Sequence, residues 1–204
     1  MSAAVSGFVW LASQSPRRAQ LLGQIGVCHR LLPPDLHEDT EALEAERAGE
    51  APIDYVERAT RAKLAAARER WQRRALPAAP ILAADTTVAL GRRILGKPRD
   101  AAHAIDTLAR LSGRTHRVIS AVAVWDGRRA RLATSVSTVR FGAIPRAAID
   151  AYVAGGEPFG KSGAYAIQGP IAAWVERIEG SYSGIMGLPL YETARLLRQA
   201  HLRW

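Results

Sequence analysis

The sequence has a single cysteine, Cys28, which excludes an intrachain disulfide and any multi-cysteine zinc site and agrees with a reducing compartment. It has no apolar run of membrane-spanning length, and its N-terminus lacks the basic, apolar and small-residue layout of a signal peptide. It reads as cytoplasmic. There is no internal repeat, no low-complexity segment and no aromatic-basic pattern of an RNA-binding module. Lysine is scarce too. Of 28 basic residues only Lys63, Lys97 and Lys161 are lysines, so the net charge of +9 is carried almost wholly by arginine. That points to G/C-rich coding as much as to nucleic acid, and the arginines are scattered rather than run together. At 204 residues and 48% hydrophobic content the chain is able to bury a core as one domain.

What is present is an alternation of strand-like and helix-like segments. The apolar run Phe8 to Ala12 reads as a buried strand, Ser15 as an N-cap, Pro16 as the first helical residue and Ala19 to Ile25 as the helix body. Arg17 and Arg18 then fall in the first turn, where the helix dipole and unpaired N–H groups repel cations and attract anions. A phosphate there resolves the conflict; arginines extending into water are the plainer alternative.

Pro52 opens a helix to about Trp71, ended by the Pro-rich Leu76 to Pro80. Ile81 to Ala84 is a short apolar strand, and Asp85 stands where it emerges, before Thr86 and Thr87. A carboxylate there can coordinate a divalent cation or take a proton from water, although a turn-forming aspartate is the commoner case. Val88 to Leu90 and Ile94 to Leu95 flank Gly91 as a hairpin would. Asp100 caps a helix with apolar positions Ala101, Ala104, Ile105, Leu108 and Leu111, ending before Gly113. Val118 to Trp125, the Asp126-Gly127 turn and Leu132 to Phe141 form a long hairpin. Pro145 opens a helix through Val153, Ala164 to Trp174 is strand-like, and Pro189 starts a final helix to about His201. The class is mixed α/β, with hairpins that argue against a purely parallel sheet.

Lys63 shares the helical stripe of Val56, Ala59 and Thr60, so it either snorkels or reaches a site. Lys97 lies in a compact basic turn, Leu95 to Arg99. Gly155 to Ser162 matches the P-loop pattern letter for letter, but a P-loop needs a strand before it and a helix after it, and here the order is reversed. What survives is a glycine-rich turn presenting Lys161, followed by a strand that presents Gln168, whose amide suits the edge of a base.

Taken together and in order, Ser13-Gln14-Ser15-Pro16-Arg17-Arg18, Ala84-Asp85-Thr86, Gly96-Lys97-Pro98-Arg99-Asp100, Ser112-Gly113-Arg114-Thr115-His116, Gly163 to Gly169, and Glu179 to Ser183 through Gly187-Leu188-Pro189-Leu190 resemble the Maf family of nucleotide pyrophosphatases. The resemblance covers essentially the whole chain. It implies a single domain over residues 1–204, with a two-lobed mixed-sheet fold around a central cleft, similar to the inosine triphosphate pyrophosphatases. It also implies hydrolysis of a nucleoside triphosphate to the monophosphate and pyrophosphate with a divalent cation (Mg, Mn or Co), a homodimer, and an association with septum formation. Arg17, Thr86 and Gln168 match the subgroup that acts on dTTP and UTP. By the same resemblance Asp85 is the general base or metal-bound acid, and Ser13, Ser15, Arg18, Lys63, Lys97 and Lys161 surround the phosphates.

An arginine donating to O4 and a glutamine accepting from N3–H would leave cytosine mispaired. The family's Asp-Ile-Asp-Glu element appears as Asp35-Leu36-His37-Glu38, which leaves Glu38 as a metal-binding carboxylate and Asp39 as a substitute acid. Gly184 stands where the family often has Asn. Two other readings remain open: a pyrophosphatase for modified pyrimidine nucleotides such as 5-methyl-UTP or pseudo-UTP, and a non-enzymatic regulator of septum formation that binds nucleic acid. The second predicts cations spread over a face rather than converging on Asp85.

Overall fold

A computed structural model describes residues 7–39 and 41–204. The segment read for a targeting signal lies partly outside them, and among the described residues no helix is long and apolar enough to cross a membrane.

Among the described residues seven strands form one mixed sheet: β1 (Val9–Leu11), β2 (His29–Leu31), β3 (Ile81–Leu90), β4 (Arg93–Leu95), β5 (Thr115–Trp125), β6 (Ala130–Phe141) and β7 (Val175–Glu179). The order is β2-β1-β3-β5-β6-β7, with β4 also on β3; β1 runs parallel to β2 and β3, and the other pairs are antiparallel. The helices are α1 (Pro16–Gln24), α2 (Pro52–Arg73), α3 (Ala101–Leu111), α4 (Arg146–Ala154), α5 (Tyr182–Met186) and α6 (Leu190–Gln199).

The period-2 alternation of β3 divides the core between the two faces of the sheet. Ile81 and Ala83 pack with Leu64 and Ala67 of α2, Trp10 and Trp125 on one face. Leu82 and Ala84 pack with Leu21 and Leu22 of α1 and Leu196 and Leu197 of α6 on the other. A third cluster gathers α3, α4, Phe141, Tyr165 and Ile185 beyond Val88.

Two expectations need correction. The short strand ending before Asp85 is instead one ten-residue strand, Ile81–Leu90, with Asp85 inside it. Its two edges differ. On one, β5 pairs continuously from Ile81 to Ala89. On the other, β1 pairs only as far as Leu82, and β4 takes up the edge at Val88. Asp85 lies in the gap between these two partners on that edge. Second, Ala164 to Trp174 is not a strand: short 3-10 turns at Ser162–Ala164 and Pro170–Trp174 occupy it, and β7 follows at Val175. Gly163 (φ 72°) and Ala164 (φ 59°) both take left-handed backbone, which no strand accommodates.

Candidate active site

The interrupted edge of β3 opens a cavity of about 450 Å³, a size suited to a small-molecule ligand. Because successive strand residues point to opposite faces, Asp85 projects to the α2 side with Ile81 and Ala83, while Thr86 projects to the α1 side with Leu82 and Ala84. The gap between β1 and β4 lets one cavity reach both.

On the α2 side, Lys63 Nζ donates to Asp85 Oδ1 at 2.6 Å and pairs with Glu44 Oε1 at 2.6 Å. The lysine reaches a site rather than snorkelling. Lys97 Nζ donates to the other Glu44 oxygen at 2.6 Å. Burial by itself would raise the Glu44 carboxyl, but Lys63 and then Lys97 outweigh it and hold the group below the usual carboxylate range. Glu44 was not singled out in the sequence: nothing in Glu41-Ala42-Leu43-Glu44 distinguishes it from a solvated acidic turn. Its backbone is anchored where Tyr55 Oη donates to the Glu44 carbonyl at 3.0 Å.

On the α1 side, the first-turn arginines do not extend into water. The guanidinium groups serve the carbonyls at the C-terminal end of α5: Arg18 Nε donates to Gly187 O at 2.8 Å and Arg17 Nε to Met186 O at 3.4 Å. Burial lowers the Arg18 pKa, with Asp85 and Glu44 opposing that shift. Ser15 occupies the N-cap position without a side-chain capping bond; instead Ser13 Oγ accepts from Ser15 N at 3.1 Å and from Arg18 Nη1 at 3.2 Å. With both lone pairs used, the Ser13 hydroxyl has only its proton left to offer, which suits an anion.

Across the cavity, the turn after α4 brings in Lys161, whose Nζ donates to the Glu157 carbonyl. Burial, and next the facing Arg17, lower the Lys161 pKa below the usual lysine range. Gly163 lets this turn lie flat on β3, since a Cβ there would meet Val88 side-chain atoms at 2.7 Å; Ser162 Oγ donates to Thr86 O at 3.0 Å.

Asp85, Arg17, Thr86, Ser13, Ser15, Arg18, Lys63, Lys97 and Lys161 all line the cavity, so every lysine in the chain does. Gln168 does not: it is exposed, because the segment before it turns rather than running as a strand toward the site. Glu38 also lies elsewhere. Arg70, almost fully buried, grips it through Nε at 3.0 Å and through Nη2, and Arg73 Nη2 binds it at 2.8 Å. Asp35 pairs with Arg73 and Arg74, and Asp39 Oδ1 accepts from Ala42 N at 3.0 Å. The acidic element thus fastens its loop to α2.

The carboxylates that do meet are Asp85 and Glu44, and among the described residues no group of three or more His, Cys, Asp or Glu side chains is placed to hold a metal. The two carboxylates share the Lys63 ammonium, and such a pair supplies hard oxygens of the kind a small divalent cation takes, with the rest of its shell from water and phosphate.

Residues 9–200 match the family described as Maf-like protein. A protein of Polaromonas sp. (strain JS666 / ATCC BAA-500) named dTTP/UTP pyrophosphatase is 61% identical over 196 residues, covering 96% of this chain and 97% of that one. One of the same name from Burkholderia pseudomallei (strain 1710b) is 61% identical over 197 residues, covering 96% and 94%. Another, from Albidiferax ferrireducens, is 56% identical over 194 residues, covering 95% and 97%. With the match spanning nearly the whole chain, from β1 to the end of α6, the chain belongs to the Maf family.

Proposed function

We propose that this chain hydrolyses dTTP and UTP to the nucleoside monophosphate and pyrophosphate, clearing them from the nucleotide pool. The observation that carries the reading is the convergence of Lys63, Lys97, Lys161, Arg17 and Arg18 on one cavity that also contains Asp85. A regulator binding nucleic acid would spread its cations over a face. Relatives at about 60% identity bear the name of the activity.

Attack of water on the α-phosphorus expels pyrophosphate, and the barrier lies in charge on the phosphate oxygens and in alignment of the water. Lys97, Lys161, Arg18 and the Ser13 hydroxyl supply cations and a donor from several directions, so the triphosphate is held and its charge offset. Asp85, on its Lys63 ammonium, orients the water and accepts its proton. Asp85 and Glu44 would hold the divalent cation, which when bound neutralises phosphate charge and fixes the chain of phosphates for in-line displacement. Arg17 and Thr86, at the α5 side, read the base. Gln168 is exposed and stands outside the cavity's lining.

Product analysis tests this. Incubation of UTP with enzyme and Mg²⁺ is expected to yield UMP and pyrophosphate in equal amounts. Formation of UDP and orthophosphate, or no turnover, contradicts it.

A further inference from the structure

Thr86 and Ser120 are directly opposite partners in the β3–β5 ladder, so their side chains share a face, the one covered by α5. Thr86 Oγ1 and Ser120 Oγ lie 2.7 Å apart, and taken alone that contact leaves the donor undecided. A second bond decides it. Ser120 Oγ is 2.6 Å from the Gly184 carbonyl, which can only accept, so the single Ser120 proton is committed there. Thr86 must then donate to Ser120, and its own single proton is used up. Ser120 is buried, at 1% exposure, and takes no part in lining the cavity, whereas Thr86 does.

The geometry points to Ser120 as a positioning residue that sets the polarity of the base pocket: the relay from Thr86 to Ser120 to the Gly184 carbonyl makes Thr86 Oγ1 an acceptor only. This rests on the proposed reading that the cavity takes a pyrimidine nucleoside triphosphate. A ring N–H, as in uracil and thymine, is a donor and satisfies such an oxygen. The unprotonated ring nitrogen of cytosine presents a lone pair to a lone pair and is refused. Discrimination then comes from a direction of hydrogen bonding fixed by strand register and by the end of α5, without Gln168. Gly184, where the family often has Asn, contributes through its backbone.

Removing the Ser120 hydroxyl frees the Thr86 proton, so Thr86 can donate to cytosine as well as accept from uracil. The test is kcat/KM for UTP and CTP on the full-length wild type, Ser120→Ala, Ser120→Thr and Thr86→Val. Each ratio comes from one preparation and does not depend on the folded fraction. Ser120→Ala is expected to lower the UTP:CTP ratio by about tenfold or more, mainly by raising CTP turnover. Ser120→Thr, which keeps the hydroxyl, is expected to retain the wild-type ratio. Thr86→Val is expected to lower the ratio by loss of UTP turnover. An unchanged ratio in Ser120→Ala overturns the inference while the pyrophosphatase reading stands. If that variant does not fold, an unchanged ratio in Thr86→Val does the same. A wild type that hydrolyses neither nucleotide overturns the functional reading and this inference with it.

Discussion

Lys63 illustrates how much one side chain can organise. Its ammonium bridges Asp85 and Glu44, each at 2.6 Å, and it emerges from the helical stripe that otherwise packs on the sheet. A compact ammonium with three rotatable donors suits that corner; a planar guanidinium with its donors in a fixed fork does not. In a chain that uses arginine nearly everywhere else, all three lysines line the cavity, beside Arg17, Arg18 and Arg70. Lys63→Arg is therefore expected to lower kcat/KM for UTP about 100-fold despite keeping the charge, because it displaces Asp85 and Glu44. Activity within a few-fold of wild type would contradict that placement. His116 behaves differently. It is buried against Tyr165 and Phe141, its Nε2 lies 2.8 Å from Tyr165 Oη, and burial pushes its pKa down from 6.5 to about 4. The folded state keeps the ring neutral while the unfolded chain protonates below about 6.5. Stability is thus intact above that pH and falls as the pH drops toward 4, by up to roughly 3 kcal/mol. Urea midpoints between pH 7 and 4 measure it, and His116→Gln is expected to flatten the profile.

Strand β3, helix α5 and the turn at Gly163 are the elements on which the site depends, and they differ in how readable they were. The amphipathic helices and the hairpin around Asp126-Gly127 were legible because their apolar periodicity and caps are local; Asp100 Oδ1, for example, accepts from His103 N at 2.7 Å as an N-cap. The continuity of β3 through Asp85 was not, since it comes from pairing with β5, where Asp85 faces Ala121. The apolar Ala164 to Ile167 read as a strand because burial alone does not distinguish a strand from a buried turn. Gly163→Ala tests that turn: left-handed backbone and the 2.7 Å approach to Val88 together are expected to cost about 1–3 kcal/mol and to weaken triphosphate binding by displacing Lys161. A thermal midpoint equal to wild type would contradict this. The loop carrying Glu38 provides a contrast. Glu38→Gln is expected to lower stability through the loss of its Arg70 pairing, with the Mg²⁺ dependence of activity unchanged. Glu44→Gln is expected to shift that dependence to higher Mg²⁺. The opposite pattern would return the metal role to Glu38.

The molecule as a whole makes its site by interrupting one edge of a mixed sheet, so that α2 and the Glu44 turn approach Asp85 from one face while α1 and α5 approach Thr86 from the other. Most of the cavity's cations were legible, since Arg17 and Arg18 sit at a helix start, Lys97 and Lys161 in turns, and Lys63 on the sheet-facing stripe of α2. Glu44 and Ser120 were not, because each acts through a partner distant in sequence: Lys97 for the first, and Thr86 and Gly184 for the second. On this reading the convergent charge hydrolyses pyrimidine triphosphates through Asp85. Pyrophosphate release from dTTP, UTP, CTP, GTP and 7-methyl-GTP, with Mg²⁺ or Mn²⁺, by the wild type and by Asp85→Asn tests it most directly. The expected result is selective turnover of dTTP and UTP that the substitution abolishes; equal turnover by the two proteins, or none by the wild type, would contradict it.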